Sequence, residues 1–173
     1  MCLCDMAACM VELFRGVIAL ENENGKLVVT KEGKQVLPFE YGDARQLNQK
    51  VWELRRAADP SIADILFDGG VFFLGVRYAY VLDSMGKKKN KELVAAVGKY
   101  GRYLFDSGGN LVAFIPDYYP LFVLDNEFLV SSVVTGEDSK VKVYDMRGSL
   151  LAVGSQKKAI KEARRLKKML GCI

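Results

Sequence analysis

The chain of 173 residues contains no histidine. This absence excludes Ser-His-Asp and Cys-His nucleophile relays, the usual catalytic zinc ligand sets, the non-haem iron facial triad and a histidine pH switch. General acid–base catalysis would fall on Asp, Glu, Lys, Tyr or Cys. The phosphate-binding pattern GxxxxGK[ST] is missing, as is GxGxxG after a strand. The common nucleotide-binding loops are therefore excluded as well.

The sequence also lacks a long apolar run. Its richest stretch, residues 62–76, is interrupted by Asp64 and Asp68 and falls short of the roughly 18–20 apolar residues of a transmembrane helix. The first basic residue is Arg15, whereas a secretory signal starts with a positive charge. We therefore expect a cytoplasmic protein that has no membrane partner.

Cysteine is scarce and confined to the two ends of the chain, at Cys2, Cys4, Cys9 and Cys172. This spacing matches no recognised zinc site. Free thiols are the favoured interpretation, and a bridge such as Cys9 to Cys172 or a metal site are the alternatives. We expect no cofactor, except Mg²⁺ under the nuclease alternative below.

The remaining pattern predicts a single α+β domain over residues 1–173, with its weakest joint at 83–91. Asn24-Gly25 lies between two β-rich runs, 17–21 and 26–30, and predicts a hairpin. Mostly antiparallel sheet is expected, with further strands between residues 105 and 154. Apolar residues at helical spacing predict about three helices, over 43–58, about 91–104 and 156–170. The last of these is amphipathic and basic, with Ser155 as N-cap and Gly171 just past its end.

The positive charge of the protein is concentrated in that last helix. Residues 155–173 hold seven lysines and arginines and one acidic residue, whereas the other 154 residues hold 18 and 20. Such a basic stripe suits nucleic acid, an acidic protein surface or anionic lipid. A solvated outer face is the alternative, and a membrane helix would carry aromatic anchors that are absent here. The predicted footprint comprises Lys157, Lys158, Lys161, Arg164, Arg165 and Lys168.

Two further segments are candidates for the same binding role. The basic cluster Lys87, Lys88 and Lys89 is either a second phosphate contact or a solvated loop. Tyr118 and Tyr119 lie between prolines and either stack on unpaired bases or complete the core and surface.

One string resembles the PD-(D/E)xK pattern of metal-dependent nucleases. It consists of Pro116-Asp117 followed by Asp138-Ser139-Lys140. The resemblance implies that Asp117 and Asp138 hold Mg²⁺ and that Lys140 helps to position the attacking water. The alternative is two ordinary turn aspartates.

The leading functional prediction is a non-enzymatic nucleic-acid-binding or ribonucleoprotein-associated protein that acts through the basic C-terminal helix. The first alternative is a structural or assembly protein that docks on an acidic partner, and oligomerisation is compatible with either. The second is a Mg²⁺-dependent nuclease.

Overall fold

The computed structural model describes residues 10–86, 92–135 and 138–171. The chain divides into two compact units, 1–79 with 107–109 and 80–106 with 110–173. It passes from the first to the second within one strand, β8 (Tyr78–Val81). The expectation of a single domain with a weak joint at 83–91 stays a prediction, and residues 87–91 of that joint lie outside the described part.

Unit 1 is one antiparallel sheet whose strands follow one another in chain order. Its core contains Tyr41, Leu54, Leu37 and Val29. The strands are β1 (Met10–Phe14), β2 (Val17–Glu21), β3 (Leu27–Lys31), β4 (Lys34–Asn48), β5 (Val51–Arg56), β6 (Ala63–Phe67) and β7 (Phe72–Val76).

The predicted hairpin is confirmed in β2 and β3. Gly25 adopts a φ of +67° in the turn, a conformation that favours glycine. The side-chain oxygen of Asn22 accepts hydrogen bonds from the backbone amides of Asn24 and Lys26, each at 3.0 Å. Local turn chemistry therefore sets the register of this pair.

Unit 2 contains the remaining strands and one helix, α1. Its five-stranded sheet has the order β16-β15-β14-β13-β9, in which only the pairing of β13 with β9 is parallel. A second sheet has the order β12-β11-β10-β8. The elements are β9 (Ser84–Met85), β10 (Val94–Val97), β11 (Arg102–Phe105), β12 (Leu111–Ile115), β13 (Leu121–Leu124), β14 (Phe128–Thr135), β15 (Asp138–Asp145), β16 (Leu150–Gly154) and α1 (Gln156–Leu170).

The two faces of the five-stranded sheet have different neighbours. Phe128, Val141 and Val143 pack on one face with α1. Leu129 and Tyr144 pack on the other face, in a core shared with strands of the second sheet. Side chains alternate along a strand, so Val141 and Val143 face the helix while Lys142 and Tyr144 face away from it.

The expectation of about three helices is wrong, because α1 is the one helix among the described residues. Residues 43–58 form the end of β4 and all of β5, joined by a tight turn at 49–50. Residues 92–104 contain β10 and most of β11. In both segments apolar residues at helical spacing are buried by sheet partners, and tertiary pairing overrides the local pattern. The mostly antiparallel α+β class is confirmed.

Candidate nucleic-acid interface

Helix α1 rests on its sheet through two small residues. Ala159 and Ala163 are buried in the cluster that contains Val141, Val143 and Phe128. The predicted bounds of the helix are confirmed, and Ser155 holds the N-cap position without a side-chain cap bond. Leu170, the last residue of the helix, is 64% exposed.

The opposite face of α1 is basic. Lys161 lies two residues from each buried alanine. It is therefore rotated about half a turn around the helix axis from them and faces away from the sheet. Six cations of this face are exposed, and we refer to them as the basic face: Lys157, Lys158, Lys161, Arg164, Arg165 and Lys168. From Lys157 to Lys168 the helix rises about 16 Å.

Acidic side chains neutralise part of this charge. Arg164 pairs with Asp125 at 3.0 Å, from the turn between β13 and β14. Arg165 pairs with Glu162 at 2.6 Å, and this hydrogen bond lowers the pKa of the Glu162 carboxyl. The charges of both arginines are therefore partly offset by neighbouring carboxylates.

The four lysines of the basic face are different. Within the described residues, no ion pair or hydrogen bond holds the side chains of Lys157, Lys158, Lys161 or Lys168. Lys167, which lies nearer the sheet, has its ammonium 3.6 Å from a Glu127 carboxylate oxygen and 5.3 Å from the Phe128 ring centroid. The four lysine charges are therefore available to an external anion.

An open groove runs along this part of the helix, with a volume of about 880 Å³. Leu124 and Ile160 supply its apolar surface. Its remaining lining comprises the basic face and Glu162. The groove is open and lined mainly by cations, which suits an extended polyanion better than a small molecule.

The two candidate tyrosines lie beside a buried carboxylate of unit 2. Asp117 accepts hydrogen bonds from Tyr144 Oη at 2.8 Å and from Ser131 Oγ at 3.3 Å. Its carboxylate also contacts Arg102 Nη1 at 3.4 Å and Lys142 Nζ at 3.5 Å. Burial and the bond to Asp117 raise the pKa of the Tyr144 hydroxyl.

Arg102 connects this cluster to the tyrosine loop. It is only 3% exposed, and it also donates to the backbone carbonyls of Asp117 and Tyr118. Tyr118 and Tyr119 themselves stay partly exposed, at 49% and 39%. The sequence pointed to these tyrosines but gave no sign of Arg102, whose partner lies 15 residues away.

The structure does not bring all the predicted binding residues together. Lys142 and Tyr144, which hold Asp117, face away from α1, so the tyrosine loop and the basic face belong to opposite faces of the five-stranded sheet. The cluster Lys87, Lys88 and Lys89 lies outside the described residues, as do the four cysteines.

The partners of Asp117 are cationic and hydroxyl groups. On β15, the side chain that contacts Asp117 is that of Lys142. Lys140 lies two residues away on the same face of the strand and is exposed. Nothing is described of the Asp138 side chain. Within the described ranges, no group of three or more His, Cys, Asp or Glu residues is placed to hold a metal ion. The nuclease alternative stays a prediction.

Two buried carboxylates of unit 1 are not among the site residues predicted from the sequence. Asp64 accepts from Arg56 Nη2 at 2.8 Å, from the Gly75 amide at 2.8 Å and from Tyr41 Oη at 3.0 Å. Glu53 pairs with Arg55 and Arg45 at 3.1 and 3.2 Å. A signal was present, because each acid interrupts an apolar run. These are paired structural charges.

Comparison with known proteins assigns neither a family nor a function to this chain. No protein-family model matches the chain, and no curated protein matches it either. In the part of the chain that the structure describes, no helix has the length and apolar character needed to cross a membrane.

Proposed function

We propose that this protein binds nucleic acid without catalysing a reaction, through phosphate contacts made by the basic face of α1. The observation that carries the proposal is the set of four lysines on that face, exposed and held by no carboxylate in the described structure. Their span of about 16 Å covers two or more phosphates of one strand. A ribonucleoprotein-associated role would use the same contacts.

The position of two of these lysines supports binding over simple solvation. Cations near a helix C-terminus are favoured by the helix dipole, and this accounts for Lys167 and Lys168 in the last turn. Lys157 and Lys158 lie in the first turn, which holds no acidic residue. There the dipole disfavours positive charge, so a bound anion would relieve a cost that solvation alone leaves in place.

Charge reversal tests the proposal. We expect Lys161→Glu combined with Lys168→Glu to weaken binding of labelled DNA or RNA at least about tenfold and to lower its salt slope by about two. Fluorescence anisotropy measures both quantities. The matched control is Lys31→Glu combined with Lys34→Glu, which changes the net charge equally at an exposed hairpin of unit 1. Equal losses in both double variants would contradict a local role for α1.

An acidic protein surface is a second candidate ligand for the same helix. The observation that favours it is apolar exposure at the end of α1, where Met169 and Leu170 are 56% and 64% exposed. Under this proposal, light scattering finds oligomers or a complex in samples free of nucleic acid. Met169→Ser combined with Leu170→Ser would then disrupt that assembly and leave nucleic-acid binding unchanged.

The nuclease alternative has its own readout in the same anisotropy experiment. Cleavage predicts loss of full-length label that requires Mg²⁺ and that Asp138→Ala abolishes. Intact label in Mg²⁺ leaves the non-enzymatic proposal in place.

A further inference from the structure

The loop that carries Tyr118 and Tyr119 is fixed by two prolines and by hydrogen bonds to buried side chains. Pro116 and Pro120 restrict its backbone on either side. Asp117 is buried and bonded to Tyr144 Oη at 2.8 Å, while Arg102 donates to the carbonyl of Tyr118. A surface loop fixed in this way loses little conformational entropy when a ligand binds to it.

A second turn adds a third aromatic ring to this surface. The hydroxyl of Tyr118 donates to the backbone carbonyl of Lys99, in the turn between β10 and β11. The next residue, Tyr100, is 68% exposed. Tyr100, Tyr118 and Tyr119 are therefore three exposed rings on two turns of unit 2 that this hydrogen bond joins, and we refer to them as the aromatic platform.

Lysines accompany the rings of the platform. Lys99 Nζ lies 5.4 Å from the ring centroid of Tyr100, and Lys142 Nζ lies 5.6 Å from that of Tyr119. Lys140 is exposed on the same face of β15 as Lys142. Planar rings interspersed with cations match a chain in which planar bases are interspersed with phosphates.

We infer that the aromatic platform binds single-stranded nucleic acid by stacking its rings on unpaired bases, an inference that rests on the proposed function. This inference restricts the expected ligand to single-stranded nucleic acid, because the base faces of a duplex are covered by neighbouring base pairs. The loop of Tyr118 and Tyr119 and the basic face of α1 belong to opposite faces of the five-stranded sheet, so base stacking and the helix contacts are separable by mutation. Tyr119 is the ring to test, since its hydroxyl has no hydrogen-bond partner in the described structure.

The experiment compares three labelled probes in low salt: an oligothymidylate, an abasic oligodeoxynucleotide of the same length, and a duplex. The wild-type protein should bind the oligothymidylate at least about fivefold more tightly than the abasic strand, which has the same phosphates and no bases. Tyr119→Ala should remove that preference and leave duplex affinity unchanged. Tyr119→Phe keeps the ring and should keep the preference.

Each other outcome separates this inference from the proposed function. Equal binding of the oligothymidylate and the abasic strand by the wild type would overturn the platform and leave phosphate binding by α1 intact. An equal loss for all three probes in Tyr119→Ala would show a structural role and would also overturn it. If the wild-type protein bound none of the three probes, that result would contradict the proposed function itself.

Discussion

At the scale of single residues, the fold contains buried carboxylates that are paired with arginines and tyrosine hydroxyls. Asp64 and Asp117 are almost fully buried, and each is held by an arginine and a tyrosine hydroxyl. A buried charge is tolerated when ion pairs and hydrogen bonds replace its water. These carboxylates therefore anchor the strands and loops that surround them.

Asp64→Asn should destabilise the protein by about 3–5 kcal/mol, because it leaves the Arg56 guanidinium without its buried partner. Urea unfolding followed by circular dichroism measures the change. Asp43→Asn is the matched control, since Asp43 is exposed on β4 and its replacement should cost less than about 0.5 kcal/mol. Similar losses in the two variants would contradict this account of Asp64.

The buried tyrosines predict an alkaline pH dependence. Burial and a neighbouring carboxylate raise the pKa of Tyr41 and of Tyr144 above the ordinary value of 10.0. Below pH 10 both the folded and the unfolded chain keep these protons. Above it the unfolded chain releases them first, so the free energy of unfolding falls as pH rises.

Tyr144→Phe removes one of these proton-linked contributions. Above pH 10, its unfolding free energy should decline less steeply than that of the wild type, by up to about 1.4 kcal/mol per pH unit. Chemical denaturation at a series of alkaline pH values measures the two slopes. Identical slopes would mean that Tyr144 titrates equally in the folded and unfolded states.

At the scale of secondary-structure elements, the turns and the ends of α1 could be predicted from the sequence. The strands that replace the two other expected helices could not. Strands β12, β13 and β16 lie within residues 105–154, where further strands are expected, and β12 and β16 each follow a turn that contains aspartate and glycine. In residues 43–58, Trp52 and Leu54 alternate with Glu53 and Arg55, a strand period that competes with the helical one. Pairing with β4 and β6 decides between them.

Gly98 and Gly101 illustrate the same point in the segment expected to be the second helix. They form the turn between β10 and β11, with the Gly98 amide donating to the Gly101 carbonyl at 2.9 Å. Inside a helix, each of these glycines would be destabilising by about 1 kcal/mol relative to alanine. As a turn, Gly101 adopts a φ of +150° that side chains rarely tolerate.

Gly101→Ala should therefore cost about 1–3 kcal/mol of stability. A Cβ at this position would lie 2.4 Å from the Ile115 carbonyl oxygen. Gly42→Ala is the control, because its Cβ would meet nothing closer than 3.7 Å at an ordinary backbone angle. Thermal unfolding of both variants tests the difference, and a tolerated Gly101→Ala would contradict the turn geometry.

At the scale of the whole molecule, the basic helix was the best-predicted part of the candidate site. Its bounds and exposed cations follow from helical spacing within a single segment. The neutralisation of Arg164 did not follow, because Asp125 is 39 residues away in sequence. The separation of the tyrosines from the helix could not be predicted either, because it depends on the contacts of Lys142 and Tyr144 with Asp117, which is 25 and 27 residues away in sequence.

The central claim is that the unpaired lysines of α1 contact nucleic-acid phosphates. The most direct test is the affinity of the wild-type protein for labelled DNA and RNA across a salt series, by fluorescence anisotropy. Four phosphate contacts predict that raising salt from about 50 to about 200 mM weakens binding about 50- to 150-fold. Binding that changes less than about threefold over this range, or no binding at the lowest salt, would contradict the claim.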